Sequence, residues 1–337
     1  MFPKNCWYVA AAGHELARTL LKRTIAEEQL ILYRTEAGAP VAMLDMCPHR
    51  HAPLSLGRLV GDNVECGYHG ITFDCSGKCV RIPGEGRILE RFAATTFPAI
   101  ERWGFIWVWL GEKEKADEKI LPEPFKWQSA PGWCPMDGYV HVKGHYQLLI
   151  DNLLDLSHEA FAHKNTIGND AVAETPCTTT VKDGKIEVFR FMKDCTPPKL
   201  FVKAAGFDSN IDRHQKITFY PPCFVAIEVW AAPTGTEDKR LVWWVLNALT
   251  PETATSTHYF WGLPRGFKQD DRELTEALRA GIYRTFDEDK TLIEQQQIIL
   301  QRMPLEKRSI FTPADQAPTR ARQMVAAMLN QNQEPAL

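Results

Sequence analysis

The chain has 337 residues, 45% of them hydrophobic and 24% charged, with a formal net charge of −3. A chain of this length is expected to bury a large core and to divide into about two domains. The small negative charge argues against nucleic acid or an anionic membrane as a partner, because no excess of positive charge is present to hold either one.

The N-terminal segment lacks the basic start and the apolar run of a signal peptide. No window offers the ~18 uncharged apolar residues of a membrane span. We therefore expect a cytoplasmic protein that does not cross a membrane. The nine cysteines are an odd number, and in a reducing compartment they are expected to be metal ligands or small buried residues and not disulfides.

Short β-type runs separated by turns fill the first 110 residues, with strands predicted at 29–33, 41–44 and 105–109. Residues 112–124 are charged and contain proline, which predicts a linker. The second half is predicted to contain a helical stretch near 146–163, strands at 186–192, 216–220, 224–232, 241–249 and 256–262, and a long helix at 271–301. An all-β unit followed by mixed elements indicates an α+β fold.

Two loops in the first half each contain one cysteine and one histidine. Cys47 and His49 form a C-x-H motif, and after a gap of sixteen residues Cys66 and His69 form C-x-x-H. Such a set suits tetrahedral zinc or a [2Fe–2S] cluster. In zinc fingers the cysteines form one pair and the histidines another, whereas here each loop brings one of each. This order favours a cluster with both thiolates on one iron and both imidazoles on the other. A zinc-stapled fold or four unrelated core residues is the alternative.

A second polar cluster lies within an apolar stretch at 151–163. His158 and His163 are five residues apart and would point about 140° apart on an ideal helix, so they can share one iron only if the helix bulges or ends between them. Helix geometry does not select among Asp151, Asp155 and Glu159 as an acidic partner. The alternative is a solvated helix face with two incidental histidines.

A third acidic candidate lies in the long helix at 271–301. Asp289 falls three residues after Phe286 and four before Ile293, on the buried stripe, whereas Asp287 and Glu288 point away from it. A buried ionised carboxylate is costly unless it is paired or bound to metal. We therefore predict Asp289 as a metal ligand, with a buried ion pair to an arginine as the alternative. The apolar residues of this stripe are Leu278, Ile282, Phe286, Ile293 and Leu300.

The two Cys/His motifs resemble the Rieske domain of Rieske non-haem iron oxygenases. The Asn-Leu-Leu-Asp-Leu-Ser-His run at 152–158, the later His163 and the Glu288-Asp289-Lys290 run match the iron site of that family in order and spacing. The resemblance covers nearly the whole chain and is strongest to the group that contains vanillate O-demethylase, dicamba monooxygenase and toluenesulfonate methyl-monooxygenase.

Two positions depart from the family pattern. His51 stands where relatives tend to carry glycine, and we interpret it as a residue near the cluster or at the surface and not as a ligand. Arg265-Gly266-Phe267 replaces the Arg-Asn-Phe of vanillate enzymes, which puts vanillate itself in doubt as the substrate. The seven cysteines outside the motifs show no paired ligand spacing and are assigned to packing.

The resemblance implies a Rieske domain at 1–112 and, at 113–337, an α+β catalytic domain with an antiparallel sheet and flanking helices. By the same resemblance each candidate residue receives a role. Cys47 and Cys66 hold one cluster iron, His49 and His69 hold the other, His158, His163 and Asp289 bind a mononuclear Fe(II), Asn152 lies near that iron, and Asp155 links His69 of a neighbouring subunit to an iron-ligand histidine, expected to be His158.

The activity implied is that of a terminal oxygenase component. Electrons from NAD(P)H would arrive through a separate flavin/iron–sulfur reductase, and O2 would be used to hydroxylate a methyl group of a small aromatic acid, in a homotrimer. O-demethylation of a vanillate-like methoxylated aromatic is the main expectation, and hydroxylation of a ring methyl to a benzylic alcohol is the alternative. A Rieske electron carrier would need only the first 110 residues, so the second ligand set argues against it.

Substrate contacts are expected from the strand region before the long helix. Tyr259 and Trp261 alternate with His258 and Phe260, so only one of the two pairs can face a pocket. A cation is needed for a substrate carboxylate, and Arg265 can supply one. The alternative is that the aromatic residues are sheet core. The candidates are Asn247, His258, Tyr259, Trp261 and Arg265.

Overall fold

A computed structural model describes residues 1–84, 88, 92–303 and 310–331. The chain divides into two compact units, Met1–Leu121 and Pro122–Leu337. The domain boundary predicted from the sequence, after residue 112, lies before this division. Residues 113–121 join the first unit because Trp7 Nε1 donates to the Asp117 carbonyl at 2.9 Å and Lys113 Nζ donates to Thr96 Oγ1 at 2.7 Å.

Three antiparallel sheets build the first unit, in agreement with the predicted all-β fold. Their strand orders are β1-β11-β10, β2-β3-β4-β9 and β5-β6-β7-β8. The central strand β11 is buried along its whole length because it pairs on both sides, which explains its uninterrupted apolar sequence. The strands are β1 Cys6–Ala12, β2 Leu21–Ile25, β3 Glu28–Arg34, β4 Pro40–Leu44, β5 Arg58–Val60, β6 Asn63–Glu65, β7 Thr72–Phe73, β8 Cys79–Arg81, β9 Thr96–Phe97, β10 Ala99–Arg102 and β11 Phe105–Leu110.

A seven-stranded antiparallel sheet forms the centre of the second unit, in the order β12-β18-β17-β16-β15-β14-β13. The five strands predicted in this half are all present. The two edge strands β12 and β13 were not predicted, because both are incompletely buried and neither sequence shows a clear apolar alternation. The strands are β12 Asp137–Val142, β13 Thr178–Lys182, β14 Lys185–Cys195, β15 Ile211–Tyr220, β16 Phe224–Pro233, β17 Leu241–Thr253 and β18 Ser256–Gly262.

The helices flank this sheet at several points along the chain. The stretch predicted as one helix at 146–163 is broken at Asp155, whose backbone is extended (φ −124°, ψ 91°). The long helix α5 matches the prediction and buries Asp289 on its apolar face. The prediction that Leu300 lies on this buried face is wrong. Leu300 is 38% exposed, and the buried residues of α5 end at Gln297. The helices are α1 Tyr146–Leu154, α2 Glu159–Ala162, α3 Asp170–Glu174, α4 Lys199–Ala205, α5 Arg272–Arg302 and α6 Gln316–Gln331.

None of the helices within the described ranges has the length and apolarity that crossing a bilayer requires.

His214 on β15 makes the stability of the second unit depend on pH. Its ring stacks on Trp230, with centroids 5.3 Å apart and planes 9° apart. Burial lowers the pKa of His214 to about 4, and Lys216 and Arg240 add to the effect. An unfolded histidine titrates near 6.5, so the unfolded chain takes up a proton that the folded chain excludes between these values.

We therefore expect the free energy of unfolding to be insensitive to His214 above pH ~6.5 and to fall as the pH drops from about 6.5 to about 4. Denaturant unfolding across this range measures the slope. A His214→Phe variant should show a shallower fall. An unchanged slope in that variant would show that His214 does not contribute.

Candidate metal centres and cavity

The two Cys/His loops of the first unit have the same backbone geometry. In each loop the cysteine N–H donates to the carbonyl five residues later, and the cysteine carbonyl accepts from the N–H four residues later. This shared turn presents Cys47 and Cys66 equivalently, so the two loops can bind one group from two sides. The bonds are Cys47 N to Ala52 O at 2.8 Å, His51 N to Cys47 O at 2.9 Å, Cys66 N to Ile71 O at 2.8 Å and Gly70 N to Cys66 O at 3.0 Å.

The same turn shows what the backbone requires at His51, where the sequence departs from the family pattern. His51 and Gly70 occupy equivalent positions and both have left-handed backbones, with φ of 57° and 67°. Glycine adopts this conformation freely, whereas other residues pay a steric cost. The His51 side chain is exposed. The shared turn therefore favours glycine at position 51 as it does at position 70.

The cysteine and histidine side chains of the two loops differ in burial. Cys47 and Cys66 are buried, whereas His49 and His69 are exposed and their ring centroids are 4.7 Å apart. Burial raises the pKa of Cys47 to about 11, the Cys66 thiol beside it adds to the shift, and the backbone N–H groups of His49 and Arg50 oppose it. Two adjacent buried sulfurs with amide donors and a pair of outward imidazoles fit a Rieske-type [2Fe–2S] cluster.

The break in the helix at 146–163 creates the second cluster of ligands. Asp155 ends α1, and its Oδ1 accepts from Ser157 N at 3.0 Å to begin a single 3-10 turn. The short helix α2 then ends at His163. As a result the rings of His158 and His163 lie with centroids 5.1 Å apart. The sequence required an interruption of this kind if the two histidines were to share a site.

Asp289 completes the cluster from α5. Its Oδ1 lies 3.1 Å from His163 Nε2 and 3.5 Å from His158 Nε2, and one ligand atom from each residue lies within 4.8 Å of the others. Two imidazoles and one carboxylate form the donor set of non-haem Fe(II) oxygenases. Burial opposes protonation of His163, but Asp289 and Glu288 outweigh it and raise the His163 pKa to about 9. The site therefore attracts positive charge and fits a metal cation.

The Nδ1 atom of each histidine lies within hydrogen-bond distance of an acceptor, as is usual for metal-binding imidazoles. His158 Nδ1 lies 2.7 Å from the Asp155 backbone carbonyl, so Asp155 orients His158 through its main chain and not through its carboxylate as expected. His163 Nδ1 lies 2.7 Å from Glu288 Oε2. Asn152 Nδ2 donates to Asp289 Oδ1 at 3.1 Å and lies 3.4 Å from His158 Nε2.

Glu288 is a site residue that sequence reasoning missed. It was expected to point away from the buried stripe, and its side chain is indeed 35% exposed. It nevertheless reaches His163 because His163 sits beside that flank of α5. The sequence signal that could have pointed to Glu288 is its position directly before Asp289. Helical periodicity shows only that Asp289 is buried and that Glu288 points outward.

An apolar cavity lies against the His158, His163 and Asp289 cluster. It is covered by α4 and α5 and by one face of strands β15 to β17. Its wall contains few polar groups, which favours an apolar ligand with a small number of anchoring contacts. Apolar lining residues include Leu156, Phe201, Val229, Trp243, Ile282 and Phe286, and the polar ones besides the cluster are Glu159, Arg213, Gln215, Arg265 and Thr285.

Only Arg265 among the five predicted substrate residues lines this cavity. Tyr259 and Trp261 are the pair that faces α5, but they pack on Phe286 with centroids 5.0 and 5.6 Å away. Asn247 is fully buried and accepts from the Tyr259 hydroxyl at 2.6 Å. His258 lies on the opposite face. These four residues are buried in the sheet and do not line this cavity, so a role for them in substrate binding stays a prediction.

A buried polar group of three residues in the cavity wall was also missed. Arg213 Nη2 donates to Glu159 Oε2 at 2.8 Å, and Gln215 Nε2 donates to Glu159 Oε1 at 3.0 Å. Of the three acidic residues that helix geometry could not separate, Glu159 thus pairs with Arg213, Asp151 pairs with Arg322 and Asp155 caps the turn before His158. The pairing of Glu159 required strand β15, which a helix pattern cannot reveal.

Comparison with known proteins agrees with both sites. A Rieske [2Fe–2S] domain model matches residues 6–98, and a vanillate O-demethylase oxygenase C-terminal domain model matches residues 142–331. The chain is 36% identical to a vanillate O-demethylase oxygenase subunit from a Pseudomonas species, with 100% of this chain and 97% of that protein covered. It is 37% identical to the toluene-4-sulfonate monooxygenase iron–sulfur subunit of Comamonas testosteroni, with 90% of each covered.

A solved structure shares the same fold. The crystal structure of dicamba monooxygenase bound to 3,6-dichlorosalicylic acid aligns with a TM-score of 0.93 at 33% identity, covering 98% of this chain and 99% of that chain.

Proposed function

The chain belongs to the Rieske oxygenases with a vanillate O-demethylase-type C-terminal domain, and from this membership we propose that it hydroxylates a methyl group of a small aromatic acid. The proposed reaction is oxidative O-demethylation of a methoxylated aromatic. One observation carries the proposal: the His158, His163 and Asp289 cluster borders an apolar cavity with few polar groups.

The proposed ligand assignment follows the two clusters of side chains. Cys47, Cys66, His49 and His69 would hold the [2Fe–2S] cluster, and the triad of the second unit would hold the single iron. When bound, these groups supply single electrons and the activation of O2. The overall change balances as methyl aryl ether plus O2, two electrons and two protons giving phenol, formaldehyde and water.

The residues of the chain contribute positioning and exclusion of water. Asn152 donates to Asp289 Oδ1 and so helps to fix the carboxylate between the two imidazoles. The Asp155 carbonyl and Glu288 fix which nitrogen each imidazole presents. The apolar wall excludes water from the reacting methyl group and leaves its orientation to a few polar contacts.

We further propose that electrons cross between subunits of a homotrimer. Asp155 Oδ1 is occupied by Ser157 N, and Oδ2 has no hydrogen-bond partner in the described part of the chain, so it is available to accept from His69 of a neighbouring subunit. The electrons would come from NAD(P)H through a separate flavin/iron–sulfur reductase. Relatives named as oxygenase components support a separate reductase, and this supply fits a cytoplasmic location.

Hydroxylation of a ring methyl to a benzylic alcohol is the second candidate. It is favoured by the toluene-4-sulfonate relative, and the departure at Gly266 puts vanillate itself in doubt as the substrate. An apolar cavity accepts a methoxy or a methyl group equally well.

The test is to measure iron and acid-labile sulfide per chain, to record the EPR spectrum after dithionite reduction, and to identify products from methoxy- and methylbenzoates with a reductase and NADH. We expect about three irons, two sulfides and a Rieske-type signal, with formaldehyde from the ethers. His163→Ala should lose one iron and keep the signal. Unchanged iron in that variant would favour an electron carrier, and zinc without sulfide would overturn both metal assignments.

A further inference from the structure

Arg265 is a buried cation in the cavity wall with no ionic partner among the residues that the structure describes. Its side chain is completely buried and it lines the cavity. Its Nε donates to the Phe267 carbonyl at 3.2 Å, and its Nη2 donates to uncharged oxygens only. Those oxygens are Lys268 O at 2.9 Å, Asp271 O at 3.1 Å and Thr275 Oγ1 at 2.8 Å. The remaining nitrogen, Nη1, is buried and has no partner among the residues that the structure describes.

No carboxylate in the described part of the chain forms an ion pair with Arg265. Asp271 uses its Oδ1 to cap α5 by accepting from Leu274 N at 2.9 Å, and it offers Arg265 only its backbone carbonyl. Glu159 is paired with Arg213, the second arginine of the cavity wall. Buried charges are normally paired, because an unpaired one loses its hydration without compensation. Arg265 therefore has no direct ion-pair partner within the described chain.

The metal site does not supply the missing negative charge. Asp289 in the triad and Glu288 beside His163 Nδ1 carry two negative charges, which a divalent iron bound there would balance. The Glu159–Arg213 pair is neutral as a whole. With the iron in place Arg265 is still a positive charge of the cavity wall without an ion-pair partner in the described chain, so an anionic ligand would be stabilised more than an uncharged one of the same shape.

We infer that Arg265 binds the acid group of the substrate, through Nη1, while the methyl group to be hydroxylated lies at the triad. This inference rests on the proposed function and adds to it the residue that selects ligands with an acid group. The contact is expected to be one-sided, because Nε and Nη2 are already occupied and the guanidinium cannot offer its usual two-nitrogen fork. One free nitrogen suits either a carboxylate or a sulfonate.

A purely structural role for Arg265, fixing the turn before α5, makes a different prediction. Losing such a role would weaken the binding of every ligand to a similar extent. Losing an anion contact would weaken only charged ligands. The ratio of affinities for an acid and its uncharged amide therefore distinguishes the two roles.

The experiment is calorimetric titration of the iron-loaded protein with 3-methoxybenzoate and 3-methoxybenzamide. Wild-type protein is expected to bind the acid more tightly by on the order of tenfold. In Arg265→Gln this preference should disappear while amide affinity changes little, and Arg265→Lys should retain part of it. Arg190→Gln is the matched control, because Arg190 is also buried but lies outside the cavity and donates to Thr175 O. Its acid preference should be unchanged.

An unchanged acid-to-amide ratio in Arg265→Gln would overturn the inference, and so would a wild-type protein that binds both ligands equally, a result that needs no variant to fold. Titration with 4-methylbenzoate and 4-methylbenzenesulfonate decides which acid group is preferred. Binding does not require turnover. Absence of product from all methyl-bearing acids would therefore count against the proposed function, while a preference for acids that depends on Arg265 would still stand.

Discussion

Replacing Asp155 by asparagine should remove most turnover and leave both metal sites in place. Within its own chain the change is mild, because an amide oxygen can still accept from Ser157 N and the backbone carbonyl beside His158 is unaffected. What is lost is the negative charge that we propose Asp155 offers to His69 of a neighbouring subunit. Loss of a carboxylate that supports ligand imidazoles typically costs about 10- to 100-fold in activity, and we expect a loss at the upper end of this range.

The measurement combines product formation with iron and sulfide content. Protein reduced with dithionite and then mixed with O2 and substrate should reoxidise its cluster more slowly in Asp155→Asn than in wild type. Asp151→Asn is the matched control, since Asp151 lies one helical turn earlier and pairs with Arg322. Wild-type turnover in Asp155→Asn at full metal content would contradict the proposed electron path.

Among the substitutions considered, replacing Glu159 by alanine is expected to lower the free energy of unfolding of the second unit the most. Arg213 is 2% exposed and would remain buried without its carboxylate partner, and Gln215 would lose the same acceptor. Removing one member of a buried ion pair costs about 3–5 kcal/mol. Contacts of Arg213 with the Phe201 ring at 4.7 Å and with the Ile167 carbonyl at 3.4 Å recover only part of this.

Thermal unfolding measures this loss. For a unit of this size a change of that magnitude corresponds to roughly 6–20 °C in the midpoint. The double variant Glu159→Ala with Arg213→Met should be more stable than the single variant, because it no longer buries an uncompensated charge. A single variant as stable as wild type, or a double variant less stable than the single one, would show that the pair does not hold this part of the fold.

The residue pattern alone predicted the all-β first unit, the central strands of the second sheet and the long helix. These features are local, because strand and helix periodicities depend on neighbours within a few residues. The burial of Asp289 was also local information, since it shares one helical stripe with Phe286 and Ile293. The Cys47 and Cys66 loops are short turns of fixed spacing, and the structure shows them to be the same turn used twice.

The tertiary structure decided what covers each buried face. Periodicity placed Tyr259 and Trp261 on one face of β18, but only the packing of α5 shows that Phe286 fills the space there and that the cavity opens over β15 to β17 instead. Glu288 reaches His163 across 125 positions of sequence. The sequence by itself determined which residue types are available and which face of each helix or strand they occupy. The partners of these residues depend on packing between distant segments, which the periodicity within one segment cannot predict.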